Sequence, residues 1–87
     1  MILYLFGNRN CDICKKILEK LKYYKENFNK DIEIIYFDTE TPDGMAEACF
    51  YDVWDIPQVI LMKDGKIIKR WQKTAPTFEE LSQLWKS

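Results

Sequence analysis

The chain contains no histidine, and only three of its 87 residues are cysteine. Two of the three stand at CxxC spacing, with no second such pair. A four-ligand zinc site would therefore need a carboxylate or a second chain, so no metal is expected. The odd cysteine count also argues against the disulfide framework of a small secreted domain. No charge of one sign dominates. Thirteen basic and fourteen acidic residues give a formal net charge of −1, with no basic stripe, which argues against a nucleic-acid partner. Long hydrophobic runs are missing too. The apolar run at residues 1–6 is too short to span a membrane, and no basic segment precedes it as in a secretory leader. Repeats, linkers and low-complexity stretches do not occur. The expectation is a cytoplasmic protein with no membrane partner.

What is present suffices for one packed domain over residues 1–87. Hydrophobic residues make up 47% and aromatics 15%, ample for a globule, although a chain this short buries only roughly 60–65% of its unfolded surface. Residues 1–6 read as a strand buried on both faces. Gly7-Asn8-Arg9-Asn10 reads as a loop in which either asparagine caps the next helix. Ile13, Ile17, Leu21, Tyr24 and Phe28 recur at helical spacing, with lysines on the other faces, so a helix is expected from about Cys11 to Phe28. Ile32 to Phe37 is a second strand. Strand, helix and strand at this spacing imply a parallel pair.

Asp38 to Thr41 is a polar loop at the same sheet edge as Cys11. Thr41-Pro42 opens a short helix to about Tyr51, which Gly44 is expected to weaken or delay. Gln58 to Met62 is a third strand with Pro57 just ahead of it. Asp64-Gly65 is a two-residue hairpin signal leading to a charged edge strand, Lys66 to Trp71. Thr77-Phe78-Glu79-Glu80 is a capping box for a final helix. The order is β-α-β-α-β-β-α: an α/β domain with a four-stranded mixed sheet and helices on both faces.

The chemistry concentrates at Asn10-Cys11-Asp12-Ile13-Cys14. Two cysteines three positions apart at a strand-to-helix junction share one side of the first helical turn. Their sulfurs are close enough to bond, and the first meets the free N–H groups of the helix end. The helix end favours a thiolate on Cys11, Lys15 and Lys16 add to this, and Asp12 opposes it. The expected net effect is a modest lowering of the Cys11 pKa. In this reading Cys11 attacks a disulfide and Cys14, one turn deeper, resolves the mixed disulfide. Two unreactive core thiols, or half of a zinc site, remain the bland alternatives.

These segments resemble the thioredoxin-fold family of small glutaredoxins and thioredoxins. The likeness rests on CDIC after the first strand, on Tyr51-Asp52-Val53-Trp54-Asp55-Ile56-Pro57-Gln58-Val59-Ile60-Leu61, and on the hairpin segment Met62 to Lys66. The resemblance implies a cis Pro57 facing the CxxC pair and an Ile56 backbone that pairs with an extended substrate segment. It also implies a thiol–disulfide oxidoreductase with no bound cofactor beyond its redox-active disulfide, acting on disulfide-containing proteins. Electrons would come from a flavoprotein reductase or from glutathione. The departures are specific. The dipeptide between the cysteines is Asp-Ile, no tryptophan precedes Cys11, and residues 1–6 hold no acidic counterpart to the buried acid of thioredoxins. The glycine pair that glutaredoxins carry near the glutathione carboxylate is absent between Trp71 and Pro76, which tilts the expectation towards a reductase. A glutathione-dependent glutaredoxin, or a non-enzymatic module using the CxxC as metal ligands, are the rivals.

Other residues carry two readings each. Ile13, Ile56 and Trp71 are expected to form an apolar substrate rim around Cys11, with Asn10 and Asp12 beside it, unless Trp71 packs on the sheet. Cys49 reads as a core thiol or, more sharply, as a third redox thiol. Trp54 and Trp85 read as core or half-buried surface, and Asn8 and Arg9 as solvated loop. No large unassigned apolar face is visible, so a monomer is expected.

Overall fold

A computed structural model describes residues 1–86, with side chains through Trp85. The elements run β1 (Ile2–Gly7), α1 (Asp12–Asn27), β2 (Glu33–Asp38), α2 (Pro42–Phe50), β3 (Gln58–Lys63), β4 (Lys66–Gln72) and α3 (Phe78–Lys86). The strands form one mixed sheet in the order β2-β1-β3-β4. β1 lies parallel to β2, with Leu5 opposite Tyr36 and Gly7 opposite Asp38. It lies antiparallel to β3, with Phe6 opposite Gln58. Because β1 and β2 are parallel, the loops that leave them, carrying Cys11 and Thr41, share one edge of the sheet. β3 begins at that edge, which brings Pro57 beside Gly7.

The period-2 alternation of the central strands divides the core. Leu3 and Leu5 of β1, with Val59 and Leu61 of β3, meet Ile17, Leu21 and Tyr24 of α1 and Leu81 of α3. Phe6, Ile60 and Met62 point the other way and meet Ala48 of α2 and Val53. Helices therefore cover both faces. Truncating a fully buried leucine such as Leu5 in so thin a core costs about 2–5 kcal/mol.

The hairpin forms with Asp64 and Gly65 both at positive φ, 53° and 77°, the backbone that a two-residue turn of this hand requires. β4 is an edge strand with Lys66 to Lys69 exposed. Its register slips opposite Leu61 and Met62, leaving Ile68 as the extra residue of a bulge.

Several expectations change on folding. Neither asparagine caps α1; Cys11 does so. The buried stripe of α1 is Cys14, Ile17, Leu21 and Tyr24, while Ile13 is 59% and Phe28 61% exposed. The stripe starts one residue later than the periodicity suggested because Cys14, not Ile13, faces Gly7. Gly44 does not delay α2. The helix starts at Pro42 with Gly44 buried, and a Cβ there would overlap the Asp38 carbonyl. Only glycine admits that close approach of helix to strand end. Cys49 is exposed rather than core, since α2 buries only Gly44 and Ala48, four residues apart. Trp54 is 77% exposed, and Trp85 is half-buried.

Candidate functional site

Cys11 and Cys14 are joined by a disulfide, with Cα atoms 5.2 Å apart. Their surroundings differ. Cys11 is half-buried at the end of the helix, and Cys14 is fully buried against β1. The Cys14 backbone N–H donates to the Cys11 sulfur at 3.1 Å, so this sulfur takes the place of the oxygen that usually caps a helix. The cap is built by the loop before it. The Asn8 carboxamide oxygen accepts from Asn10 N–H at 2.9 Å, and the Asn8 carbonyl accepts from Cys11 N–H at 3.2 Å. These bonds turn the chain sharply from β1 into α1. Asn8 thus shapes the loop instead of capping the helix.

Gly7 sets how closely Cys14 approaches the sheet. A Cβ added to Gly7 would stand 2.8 Å from both Cβ and Sγ of Cys14 and 3.1 Å from the Tyr36 hydroxyl. That hydroxyl and the Cys14 sulfur therefore flank one point, within the span of a single bridging water. Tyr36 is half-buried on β2. Burial, and then the carboxylates of Asp38 and Glu40, raise its pKa above the ordinary 10.0, which keeps the hydroxyl protonated.

The loop from α2 into β3 arrives at the same sheet edge, where the register of β1 and β3 sets Pro57 beside Gly7. The Ile56–Pro57 bond is cis, Pro57 is buried and Ile56 half-buried. The Pro57 carbonyl accepts from Lys73 N–H at 2.7 Å. Gln58, 1% exposed, accepts from the Arg70 guanidinium at 2.6 Å, and Arg70 also reaches the Asp52 carbonyl at 3.3 Å. A buried carboxamide with a charged donor is well satisfied, and the bonds pin the segment that leads to Pro57.

Of the other expected rim residues, Asn10, Asp12 and Ile13 are exposed around Cys11 in sequence, as are Lys15 and Lys16. Trp71 is not on the rim. It is 6% exposed, packs in the cluster with Val59 and Leu81, and its indole N–H donates to Glu80 at 3.2 Å. The inward phase of β4 opposite Val59 decides this, and the sequence left both faces open. Two residues of interest were given no site role by the sequence reading. Trp54, expected as core or half-buried surface, stands 77% exposed three positions before Pro57, where its place in a proline-bearing loop was the available signal. Tyr36 had no local signal, because its proximity to Cys14 arises only from pairing of β2 with β1. Among the described residues, no three Cys, Asp or Glu side chains gather as metal ligands, and no helix is long and apolar enough to cross a membrane.

No protein-family model and no curated protein sequence matches the chain. Solved structures do. Thioredoxin 1 from the thermophilic eubacterium Thermosipho africanus superposes with a TM-score of 0.83 at 24% identity, over 99% of this chain and 96% of that one. Fasciola hepatica thioredoxin gives 0.75 at 22% identity over 95% and 75%. Mitochondrial thioredoxin 3 from Saccharomyces cerevisiae gives 0.73 at 20% identity over 98% and 76%. With its CxxC pair at the first strand-to-helix junction and a cis-proline heading the third strand, the chain is a thioredoxin-fold protein.

Proposed function

We propose that the chain is a thiol–disulfide oxidoreductase that reduces disulfides in protein substrates. The observation that carries this reading is the asymmetry of the two sulfurs: Cys11 half-buried with an amide directed at it, Cys14 fully buried and bonded to it. A free cysteine titrates near ~8.5, so little of it is thiolate at neutral pH. A helix N-terminus contributes roughly 0.3–2 kcal/mol to an anion beside it, which raises the dissociation constant of the Cys11 thiol by up to about thirtyfold. The Cys11 thiolate attacks one substrate sulfur, forming a mixed disulfide and expelling the other as thiolate. Cys14, as thiolate, then attacks the Cys11 sulfur, and the second substrate thiolate leaves. Two electrons pass from the protein dithiol to the substrate disulfide.

Ile13 and the Ile56–Pro57 segment are the proposed substrate contacts, with an extended substrate segment lying along the Ile56 backbone. The exposure of Ile13 at 59% and Trp54 at 77% supports an apolar protein surface as the docking partner. Asn10 and Asp12 form its polar margin. The absence of a glycine pair between Trp71 and Pro76 supports a flavoprotein reductase over glutathione as electron donor. The protein works as a cytoplasmic monomer with no cofactor beyond the redox-active disulfide.

The test is the redox midpoint of the Cys11–Cys14 pair. The protein is equilibrated across graded thiol–disulfide buffers, free thiols are alkylated and masses are read, with Cys49→Ser in parallel. A midpoint near about −270 mV is the expected result for a reductase-fed protein, while one near about −200 mV points to glutathione coupling. Two thiols that stay free throughout the range would overturn the oxidoreductase reading and favour a metal-binding or interaction module.

A further inference from the structure

We infer that the Tyr36 hydroxyl is a positioning group for Cys14, donating its hydrogen towards the Cys14 sulfur and holding that sulfur as a thiolate during the resolving step. The inference deepens the proposed oxidoreductase reading and rests on it for its place in catalysis. Cys14 is 0% exposed. A thiolate there loses its hydration, and burial alone works against the charged form. β1, against which Cys14 packs, carries no charged residue. The polar side-chain atom that flanks the same point as the sulfur is the Tyr36 hydroxyl, at 3.1 Å from where a Gly7 Cβ would stand, with the sulfur at 2.8 Å. Among the described residues no hydrogen bond engages that hydroxyl while Cys14 is bonded to Cys11, so it is free to turn to a sulfur that has gained charge.

Tyr36 serves as a donor and not as a base. Asp38 and Glu40, from its own strand and the turn after it, strengthen its hold on the proton, as does burial. From α1, the charged side chains of the first turn, Asp12, Lys15 and Lys16, are exposed to solvent. In the resolving step the Cys14 thiolate attacks the Cys11 sulfur, the Cys14–Cys11 bond forms, and the bond from Cys11 to substrate breaks. The electron pair leaves on the substrate thiolate, which is protonated from solvent. The proton released earlier by Cys14 has gone to solvent, and Tyr36 keeps its own throughout. A neutral donor thereby supports the buried anion where no acid stands on β1 to act as a base.

The test uses Tyr36→Phe, which removes one oxygen and keeps the ring. In a Cys11→Ser, Cys49→Ser background only Cys14 remains to titrate, and its thiolate is followed by ultraviolet absorbance. The expected result is a Cys14 midpoint higher by about one pH unit in Tyr36→Phe, the size of a lost hydrogen bond to a charged group. With Cys11 restored, the resolving step measured by rapid mixing should slow about tenfold, and attack by Cys11 should keep its rate. Site-specific fluorotyrosine at position 36, a stronger donor of nearly the same size, should move the Cys14 midpoint down. Unchanged midpoints in both variants would overturn the inference, since a packing role alone predicts that. The thiol titration needs no substrate. If Cys14 shifts with Tyr36 but no protein disulfide is turned over, the oxidoreductase reading falls while the assignment of Tyr36 to Cys14 stands.

Discussion

The first turns of α1 and α2 leave the same edge of the sheet with the same construction. In each, the third residue of the helix donates its N–H to the capping side chain: Cys14 to Cys11 Sγ at 3.1 Å, Gly44 to Thr41 Oγ1 at 3.0 Å. Each also depends on a glycine that lets helix and sheet approach, Gly7 under Cys14 and Gly44 against Asp38. They differ in one atom type. Oxygen at Thr41 satisfies an orphan amide and donates its own hydrogen to the Asp38 carbonyl at 2.7 Å, a purely structural role. Sulfur at Cys11 is a weak acceptor as a thiol or disulfide and a strong one as a thiolate. The same amide that merely closes a helix at α2 favours the reactive form at α1. α3 repeats the oxygen version, with Glu80 N–H donating to Thr77 Oγ1 at 3.0 Å and the Glu80 carboxylate accepting from Thr77 N–H at 3.2 Å. What sets α1 apart is the capping atom, a sulfur within a construction used three times.

Substituting the capping atom tests that comparison most sharply. Cys11→Ser makes α1 resemble α2, and serine is among the preferred capping residues. Exchange with a model protein disulfide should fall to the uncatalysed rate while the Tm measured against the reduced wild type holds or rises. Retained exchange would break the comparison. Gly44→Ala should be the largest change in stability, because its Cβ meets backbone that has no rotamer to yield. A loss of about 3 kcal/mol in urea denaturation is expected. Thr41→Ala removes the oxygen cap of α2 and should cost about 1 kcal/mol, with the alkylation rate of Cys11 unchanged. A slower Cys11 would show that the two helix ends are coupled, which the comparison does not allow.

The smallest effect belongs to α3. The Thr77 backbone N–H first, then the Trp71 indole and the Lys69 ammonium, hold the Glu80 carboxyl down from its ordinary 4.5 to about 2. A carboxyl lowered on folding stabilises the native state above its unfolded pKa, and that contribution is lost as pH falls towards the folded value. Glu80 is partly exposed, at 37%, so solvent screens the gain. Glu80→Gln should lower the Tm modestly at neutral pH, and the gap from wild type should close as pH falls from about 4.5 to 2. A gap independent of pH would assign the effect to the uncharged part of the capping box.

Much of the site was legible because it is local. CDIC, the Asp-Gly turn, the proline ahead of an apolar strand and the Thr-Phe-Glu-Glu box are short-range patterns, and each fixes backbone within a few residues of itself. The misreadings lie where several residues compete for one role or where the role depends on a distant partner. Asn8 and Asn10 both suit a helix cap by type, yet the turn they form hands the cap to Cys11. Cys49 looked like core by residue type, but α2 buries only Gly44 and Ala48. Trp71 was open to either role until β4 registered against Val59 and turned it inward.

By itself the sequence determined the order of elements, the alternation that splits the sheet into two apolar faces, and the placing of two sulfurs in one helical turn. These follow from periods of 2 and 3.6 residues and from the free amides at a helix start, which are properties of the chain's own backbone. Only the tertiary structure decided how far Cys14 sinks, which glycines are indispensable, and that the Tyr36 hydroxyl and the Cys14 sulfur flank the same point above Gly7. Those outcomes depend on side chains from separate strands and helices competing for the same few ångströms, and no local pattern records the result of that competition.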